Sequence, residues 1–456
     1  MNNLEKVYAY IEEHKQDYLD ELFIFLRQRS ISTTNDGVTE CAELLADIMR
    51  HAGIRNVQIF PTSRHPVVYG DIITDPSLPT QLVYGHYDVQ PPDPVDKWNT
   101  DPFEPVIKNG KIYCRGCSDN KSQLFTYIKG AEAYRKINGD KMPINIKYIF
   151  EGEEEIGSVD LVEFIEQHKD LLKADAAIYS DGHMHEMGHP VLFLGHKGMI
   201  QLELTVQTAC KQTHSMRAPS IPNAAWRMVE LLHTLKDETG FVKIEGFYDD
   251  VKEPTEQEKQ AALNIPIDID GFKRDYGIDR FVMNRKGDNY YYNLIFEPTC
   301  NIAGIYGGYV GNGYQTVIPH KVTAKLDLRL VPTQDPNDII AKLRKHLEKH
   351  GYGDAEINII HGNWAARTPM DSPYVPLAAK AVEMAFGESP IVYPSVPGGG
   401  PHYIFDQKMH LPLIEIPLAL ADQNNHAPNE SMGLNGFFCG IKMAATLIDV
   451  LGQSKS

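Results

Sequence analysis

The chain has 456 residues, long for one ordinary core and, at roughly 150 residues per domain, suggestive of about three units. Lys and Arg number 44 against 61 Asp and Glu, a formal net charge of −17. That balance repels phosphate backbones and anionic lipid heads, which argues against a nucleic-acid or membrane-surface partner. With 42% hydrophobic and 23% charged residues the composition is globular and excludes wholesale disorder.

No apolar run approaches the roughly 18–20 residues that span a bilayer. The opening MNNLEKVYAYIEEHKQDYLDELF is charged throughout and lacks the apolar stretch of a secretory signal. Six cysteines in so long a chain are sparse, so the expectation is a cytoplasmic protein with free thiols. Cys114 and Cys117 form a C-x-x-C, but no second ligand pair stands at zinc spacing. They read as incidental small residues ahead of a redox pair.

Leu4, Val7, Tyr8 and Ile11, then Leu19, Leu22, Phe23 and Leu26, recur at helical spacing. Ala42 to Met49 supports a further helix ending near Gly53. Short apolar runs follow at 67–69, 82–84, 146–150 and 176–179, each reading as a buried strand. Helical stretches at 120–138 and 158–170 separate several of them, the signature of an α/β domain with a mostly parallel sheet. From about 198 the character changes. MIQLELTVQ alternates as a half-exposed strand, a helix follows at 223–236, and 237–298 is polar with little period. Strands at 301–306, 322–331 and 355–360 with a helix at 336–350 predict a smaller α+β domain. Helix 374–387, strand 411–417 and helix 434–451 then resume the α/β pattern. The expected organisation is one α/β domain, 1–197 with 366–456, interrupted by an inserted domain over 198–365.

In open α/β sheets ligands sit beyond the carboxyl ends of strands. After LVYG come His86 and Asp88; after NIKYIF come Glu151, Glu153, Glu154 and Glu155; after AAIYS comes Asp181; beyond LIEIP comes His426. Asp119, in RGCSDNKS, opens a helix between the first two. Any one of these is ordinarily a helix cap or a solvated loop residue. Five such positions on one rim are a different matter, because two imidazoles with three carboxylates suit zinc, with manganese or cobalt feasible. One zinc with three protein ligands leaves two of the five spare, whereas two zinc ions sharing one carboxylate use all five. A pair of ions about 3.5–4 Å apart can hold a hydroxide and polarise a carbonyl, which is hydrolytic chemistry on an amide or ester.

The stretch YGHYDVQPPDPVDKWNTDPFEPVIKNGKIYCRGCSDNKSQ resembles the metal-site region of the carnosine dipeptidases and cytosolic non-specific dipeptidases. These belong to a larger di-zinc family with aminoacylases, glutamate carboxypeptidases and succinyl-diaminopimelate desuccinylases. EGEEEIGS is similar to that family's paired-glutamate motif, and QTVIPHKVTAKLDLRLVPTQDP to the dipeptidases' second-domain segment. The likeness runs in matching order over nearly the whole chain.

The resemblance implies an α/β zinc-peptidase domain and a lid or dimerisation domain. It also implies that His86 and Asp181 bind one zinc, Glu155 and His426 the other, and that Asp119 bridges. Asp88 would orient His86. Glu154 would be the general base toward a hydroxide held between the two ions. The Asp119-Asn120 peptide is expected to be cis. In the inserted domain, His214 matches a histidine supplied by the partner subunit of a homodimer to the tetrahedral oxyanion. Arg329 matches an arginine that reads a substrate carboxylate, and Thr316 a substrate-contacting threonine. Gly400 would offer its backbone N–H.

Three departures stand out. Met216 replaces the glycine usual after the His-Ser pair, Gly398-Gly399-Gly400 stands where Gly-Gly-Ser is usual, and Asn120 where an aspartate is common. His183, His185 and His189 are extra, and read as a polar loop ahead of a loose additional metal site. The expected activity is hydrolysis of dipeptides or short peptides with a free C-terminal carboxylate. The alternative is an N-acyl amino-acid amidohydrolase on the same scaffold. A non-catalytic binding protein is disfavoured because no ligand position and no base is lost.

Overall fold

The computed structural model describes residues 2–282 and 289–453. The chain divides into two compact units: Met1–Leu194 with Thr368–Tyr393 and Ile404–Ser456, and Gly195–Arg367 with Pro394–Tyr403. The short segment Pro394–Tyr403 thus clusters with the second unit, although it comes after the return of the α/β pattern in sequence.

The first unit is built on an eight-stranded sheet in the order Arg55–Phe60, Val67–Ile72, Asn145–Glu151, Thr80–His86, Ala176–Tyr179, Leu413–Glu415, Val191–Phe193, Ile391–Tyr393. Its centre is parallel, with Asn145–Glu151, Thr80–His86, Ala176–Tyr179 and Leu413–Glu415 running together. The first three strands pair antiparallel. Central strands are buried on both faces, which is why they read as continuous apolar runs rather than as alternation. Helices Lys121–Asn138 and Leu434–Gln453 pack together. A Cβ on Gly130 would lie 2.6 Å from Ala444 Cβ, so the close helix approach requires glycine there.

Leu434–Gln453 is long and apolar enough to match a bilayer span, against the expectation that no such stretch exists. Most of it is buried in the core of the first unit, where an all-round apolar helix belongs.

The second unit carries a four-stranded antiparallel sheet in the order Thr299–Gly307, Lys321–Leu330, Gly198–Gln207, Glu356–Asn363. Gly198–Gln207 alternates buried and half-buried residues as its sequence predicts. Ile200, Leu202, Leu204 and Val206 form a core with Met228 and Leu231 of helix Ala224–Leu235 and with Ile339 and Leu343 of helix Pro336–Lys349. The polar stretch 237–298, expected to be irregular, contains three short helices among its described residues: Glu256–Leu263, Ile269–Tyr276 and Tyr290–Phe296. Local capping supports the first of them. Thr255 and Glu258 form a reciprocal capping box, a signal present in the sequence that the weak apolar period obscured.

Candidate metal centre

His86 ends a central strand, and Asp181 comes just after the end of the neighbouring strand Ala176–Tyr179. Glu154 and Glu155 lie in a single 3-10 turn after Asn145–Glu151. Asp119 precedes helix Lys121–Asn138, joined to it through a cis Asp119-Asn120 peptide as expected. His426 lies in the loop after Leu413–Glu415 with φ of 56°, a left-handed conformation uncommon outside glycine.

These positions converge within the first unit. Asp119 Oδ1 lies 3.2 Å from His86 Nε2, and its Oδ2 lies 3.0 Å from His426 Nε2. Asp181 Oδ2 is 3.3 Å from His86 Nε2, and Glu155 Oε2 is 3.0 Å from His426 Nε2. The result is two ligand clusters, His86–Asp119–Asp181 and Asp119–Glu155–His426, each with its ligand atoms within 4.8 Å of one another. Both contain Asp119.

Asp88 braces two parts of the centre. Its Oδ1 is 3.4 Å from His86 Nδ1, whose nearer contact is the Asp88 carbonyl at 3.2 Å. Its two carboxylate oxygens also accept the backbone N–H groups of Glu154 and Glu155 at 3.2 and 3.1 Å. Three consecutive glutamates therefore occupy three environments. Glu153 accepts the N–H groups of His65 and Asp160 and is structural. Glu155 contacts His426 and accepts from Gln90 Nε2 at 2.9 Å.

The electrostatics show what the donor set lacks. Burial and the charge of Asp119 push the Glu155 carboxyl up to about 7, against an opposing hydrogen bond from His426. Burial also pushes Glu154 well up, despite the neighbouring His86. Hydrogen bonds to Asp119 and Glu155 raise His426 to about 10. Burial works against charging His86, but Asp119, Asp181 and Asp88 overcome it and raise the imidazole well above its ordinary value. Asp119 is the converse case: burial disfavours its charge, and contacts with His426 and His86 nonetheless hold it below the usual carboxylate range. Upward shifts in Glu154, Glu155, His86 and His426 together mark a site short of positive charge. Divalent cations among two imidazoles and three carboxylates would supply it, so the donor set fits zinc, manganese or cobalt.

Sequence reading missed several supports. Glu430 is fully buried and accepts hydrogen bonds from four residues of the loop preceding and including Asp119. Gln123 donates to Ser118 O at 2.7 Å and accepts from Leu418 N at 2.9 Å. Asn120 Nδ2 donates to Ser180 O at 2.5 Å, linking the Asp119 and Asp181 loops with a donor that aspartate lacks. Their polar character was visible, but their partners are distant in sequence.

The remaining predicted residues lie in the second unit. His214 is exposed; the Met216 N–H donates to its Nδ1 at 3.1 Å, so the neutral ring carries its proton on Nε2. That Nε2 is 3.0 Å from Thr316 Oγ1. The Arg329 fork engages Asp327 through Nε at 2.7 Å and Nη2 at 3.1 Å, while Nη1 reaches Pro397 O at 3.4 Å. A Cβ on Gly400 would lie 2.4 Å from His196 Nδ1, so the usual serine would not fit without moving that ring.

His185 N donates to His189 O at 3.0 Å and the two rings lie 5.9 Å apart, while the ring nitrogens of the three extra histidines meet different groups. His183 Nδ1 contacts Met184 O, buried His185 accepts from Met187 N, and His189 Nδ1 contacts Glu388 Oε1 at 2.5 Å. Cys114 and Cys117 are free and buried, and burial pushes both thiols far up.

Comparison with known proteins gives this geometry a family. Residues 82–450 match the description Peptidase family M20/M25/M40. An M20 family metallo-carboxypeptidase from Sulfolobus solfataricus superposes with a TM-score of 0.86 at 35% identity, over 96% of this chain and 99% of that one. Human carnosine dipeptidase 1 gives a TM-score of 0.79 at 27% identity, over 99% of each chain. A Cys-Gly metallodipeptidase of Schizosaccharomyces pombe is 28% identical over 476 residues, 99% of each sequence. Matching over most of its length, the chain belongs to peptidase family M20/M25/M40.

Proposed function

We propose that this protein hydrolyses the amide bond of dipeptides or short peptides with a free C-terminal carboxylate, using two divalent metal ions. The carrying observation is the Asp119 carboxylate, which presents one oxygen to His86 and the other to His426. His86 and Asp181 would hold one ion, Glu155 and His426 the other, with Asp119 between them. Zinc suits the set, and manganese or cobalt is feasible. When bound, such ions supply Lewis acidity toward the scissile carbonyl and bring the pKa of a water to about 7.

The chain's own residues do the rest. Glu154, with no hydrogen-bond or ion-pair partner for its carboxyl among the described residues, takes the proton of the attacking water and passes it to the leaving nitrogen. Asp88 holds the His86 ring and the Glu154-Glu155 turn in register. His214 donates its Nε2 proton to the tetrahedral oxyanion, Thr316 sets the ring's direction, and Arg329 and Gly400 receive the substrate carboxylate.

The dipeptidase relatives and the carboxypeptidase structure support a peptide substrate. A homodimer formed through the second unit, with His214 acting on the partner's centre, agrees with the exposed edge strand Thr299–Gly307, where Ile302, Ile305 and Tyr306 are accessible. A panel of dipeptides, longer peptides, and N-acetyl and N-succinyl amino acids, with and without added metal, tests the reading. Metal-dependent dipeptide cleavage is expected. Turnover of acyl substrates alone would replace it with the amidohydrolase alternative.

A further inference from the structure

We propose that Glu430 is the positioning residue of the metal centre, a buried carboxylate that sets the backbone presenting Asp119 to both ions. This role rests on the metal-dependent reading of the centre.

Glu430 is 0% exposed and receives five donors. Oε1 accepts Ser118 N at 2.8 Å, Ser118 Oγ at 2.9 Å and Asp119 N at 3.0 Å. Oε2 accepts Gly116 N at 3.0 Å and Arg115 Nη1 at 2.8 Å. The Glu430 carbonyl accepts Cys114 N at 3.2 Å. One residue thereby grips the chain from 114 to 119, ending on the amide of the shared ligand itself.

The grip extends to two other ligand segments, those of His426 and His86. Glu430 lies four positions beyond His426, so the loop that delivers one imidazole also carries the clamp. Arg115, 1% exposed, uses Nη2 to reach Pro91 O at 3.1 Å and stacks 5.4 Å from the Trp98 ring. Pro91 and Trp98 belong to the loop beyond His86 and Asp88. A carboxylate buried without partners would be costly, and one that receives three backbone N–H groups, a hydroxyl and a guanidinium is fixed in one geometry. Every hydrogen-bond partner of the Glu430 carboxylate is a donor. Glutamine would therefore turn an NH₂ against N–H groups on one side and leave Arg115 buried without its anion.

Cobalt(II) is the probe, because its visible absorption reports ligand geometry independently of turnover. Wild type, Glu430→Gln, Ser118→Ala and a core control, Leu447→Ala, are stripped of metal and titrated with cobalt. Leu447 is 1% exposed in the closing helix, so its truncation lowers stability without touching the clamp. Glu430→Gln should weaken both cobalt sites about tenfold to a hundredfold and shift the absorption bands, as loss of an outer partner does. Ser118→Ala, which removes one of the five donors, should move both in the same direction by roughly two- to fivefold. Leu447→Ala should lower the unfolding midpoint and leave affinity and spectrum unchanged.

Wild-type affinities and spectrum in Glu430→Gln would overturn the clamp, as would weakening of one site alone or an equal change in Leu447→Ala. If Glu430→Gln does not fold, an unaltered spectrum and affinity in Ser118→Ala overturns it. A wild-type chain that binds no cobalt overturns the metal reading itself, and the two failures are thereby distinguished.

Discussion

Glu154 and Glu155 are consecutive, yet of the two only Glu155 lies within ion-pair distance of an imidazole, its Oε2 3.0 Å from His426 Nε2. Both backbone amides are tied to one carboxylate, that of Asp88. A single 3-10 turn thus places two chemically identical side chains in two different surroundings, and the proposed function gives them different tasks.

Exchange of each glutamate for glutamine separates those tasks. Glu154→Gln should keep two metal ions per chain and lose roughly 10²–10⁴ in turnover. Glu155→Gln should lose metal first. Elemental analysis beside steady-state kinetics decides, and metal loss in Glu154→Gln would reverse the assignment.

His214 is assigned to the oxyanion through Nε2. His214→Ala should lower kcat on the order of 10²–10³ with metal content intact. If the histidine acts across a dimer, mixing His214→Ala with Glu154→Gln should restore part of the activity, since each heterodimer holds one complete site. Heterodimers that form and remain inactive would contradict action in trans.

Arg329 sits half-buried in a strand with its fork oriented by Asp327. Arg329→Lys keeps the charge but not the planar pair of donors. KM for substrates with a free C-terminal carboxylate should rise about tenfold or more, while substrates amidated at that end should change little. Equal effects on both would remove the carboxylate-binding role.

Stability should also respond to pH away from the centre. His346 is buried beside His350, and burial lowers its imidazole to about 4, with the His350 charge adding to the effect. The unfolded chain takes up that proton near 6.5, so between about 6.5 and 4 the unfolded state binds more protons than the native one. This contribution to stability is present above 6.5 and is lost as pH falls toward 4. In His346→Gln the unfolding midpoint should fall less steeply over that window than in wild type. Parallel curves would contradict the assignment.

The sequence was informative where chemistry is local. Strand ends bearing His86, Glu155 and Asp181 were legible because buried parallel strands are continuous apolar runs, and the residues just past their carboxyl ends share one rim of the sheet. The strand carrying Arg329 was legible from alternation. The bracing by Glu430 and Gln123 was not. Glu430 is an ordinary glutamate in HAPNES until residues 114–119 fold against it, and Gln123 an ordinary helix residue until Leu418 arrives. Such contacts have no period and no spacing. Helix Glu256–Leu263 was missed for a different reason: its capping box lies in a segment too polar to show an apolar face.

Reconstitution of the metal-free protein tests the central claim most directly. Dipeptide hydrolysis is measured against equivalents of zinc added per chain. Activity should be negligible without metal and should saturate at two equivalents, with Asp119→Ala unable to reach that plateau. Full activity at one equivalent, or hydrolysis that persists in the metal-free protein, would contradict a centre in which Asp119 serves two ions.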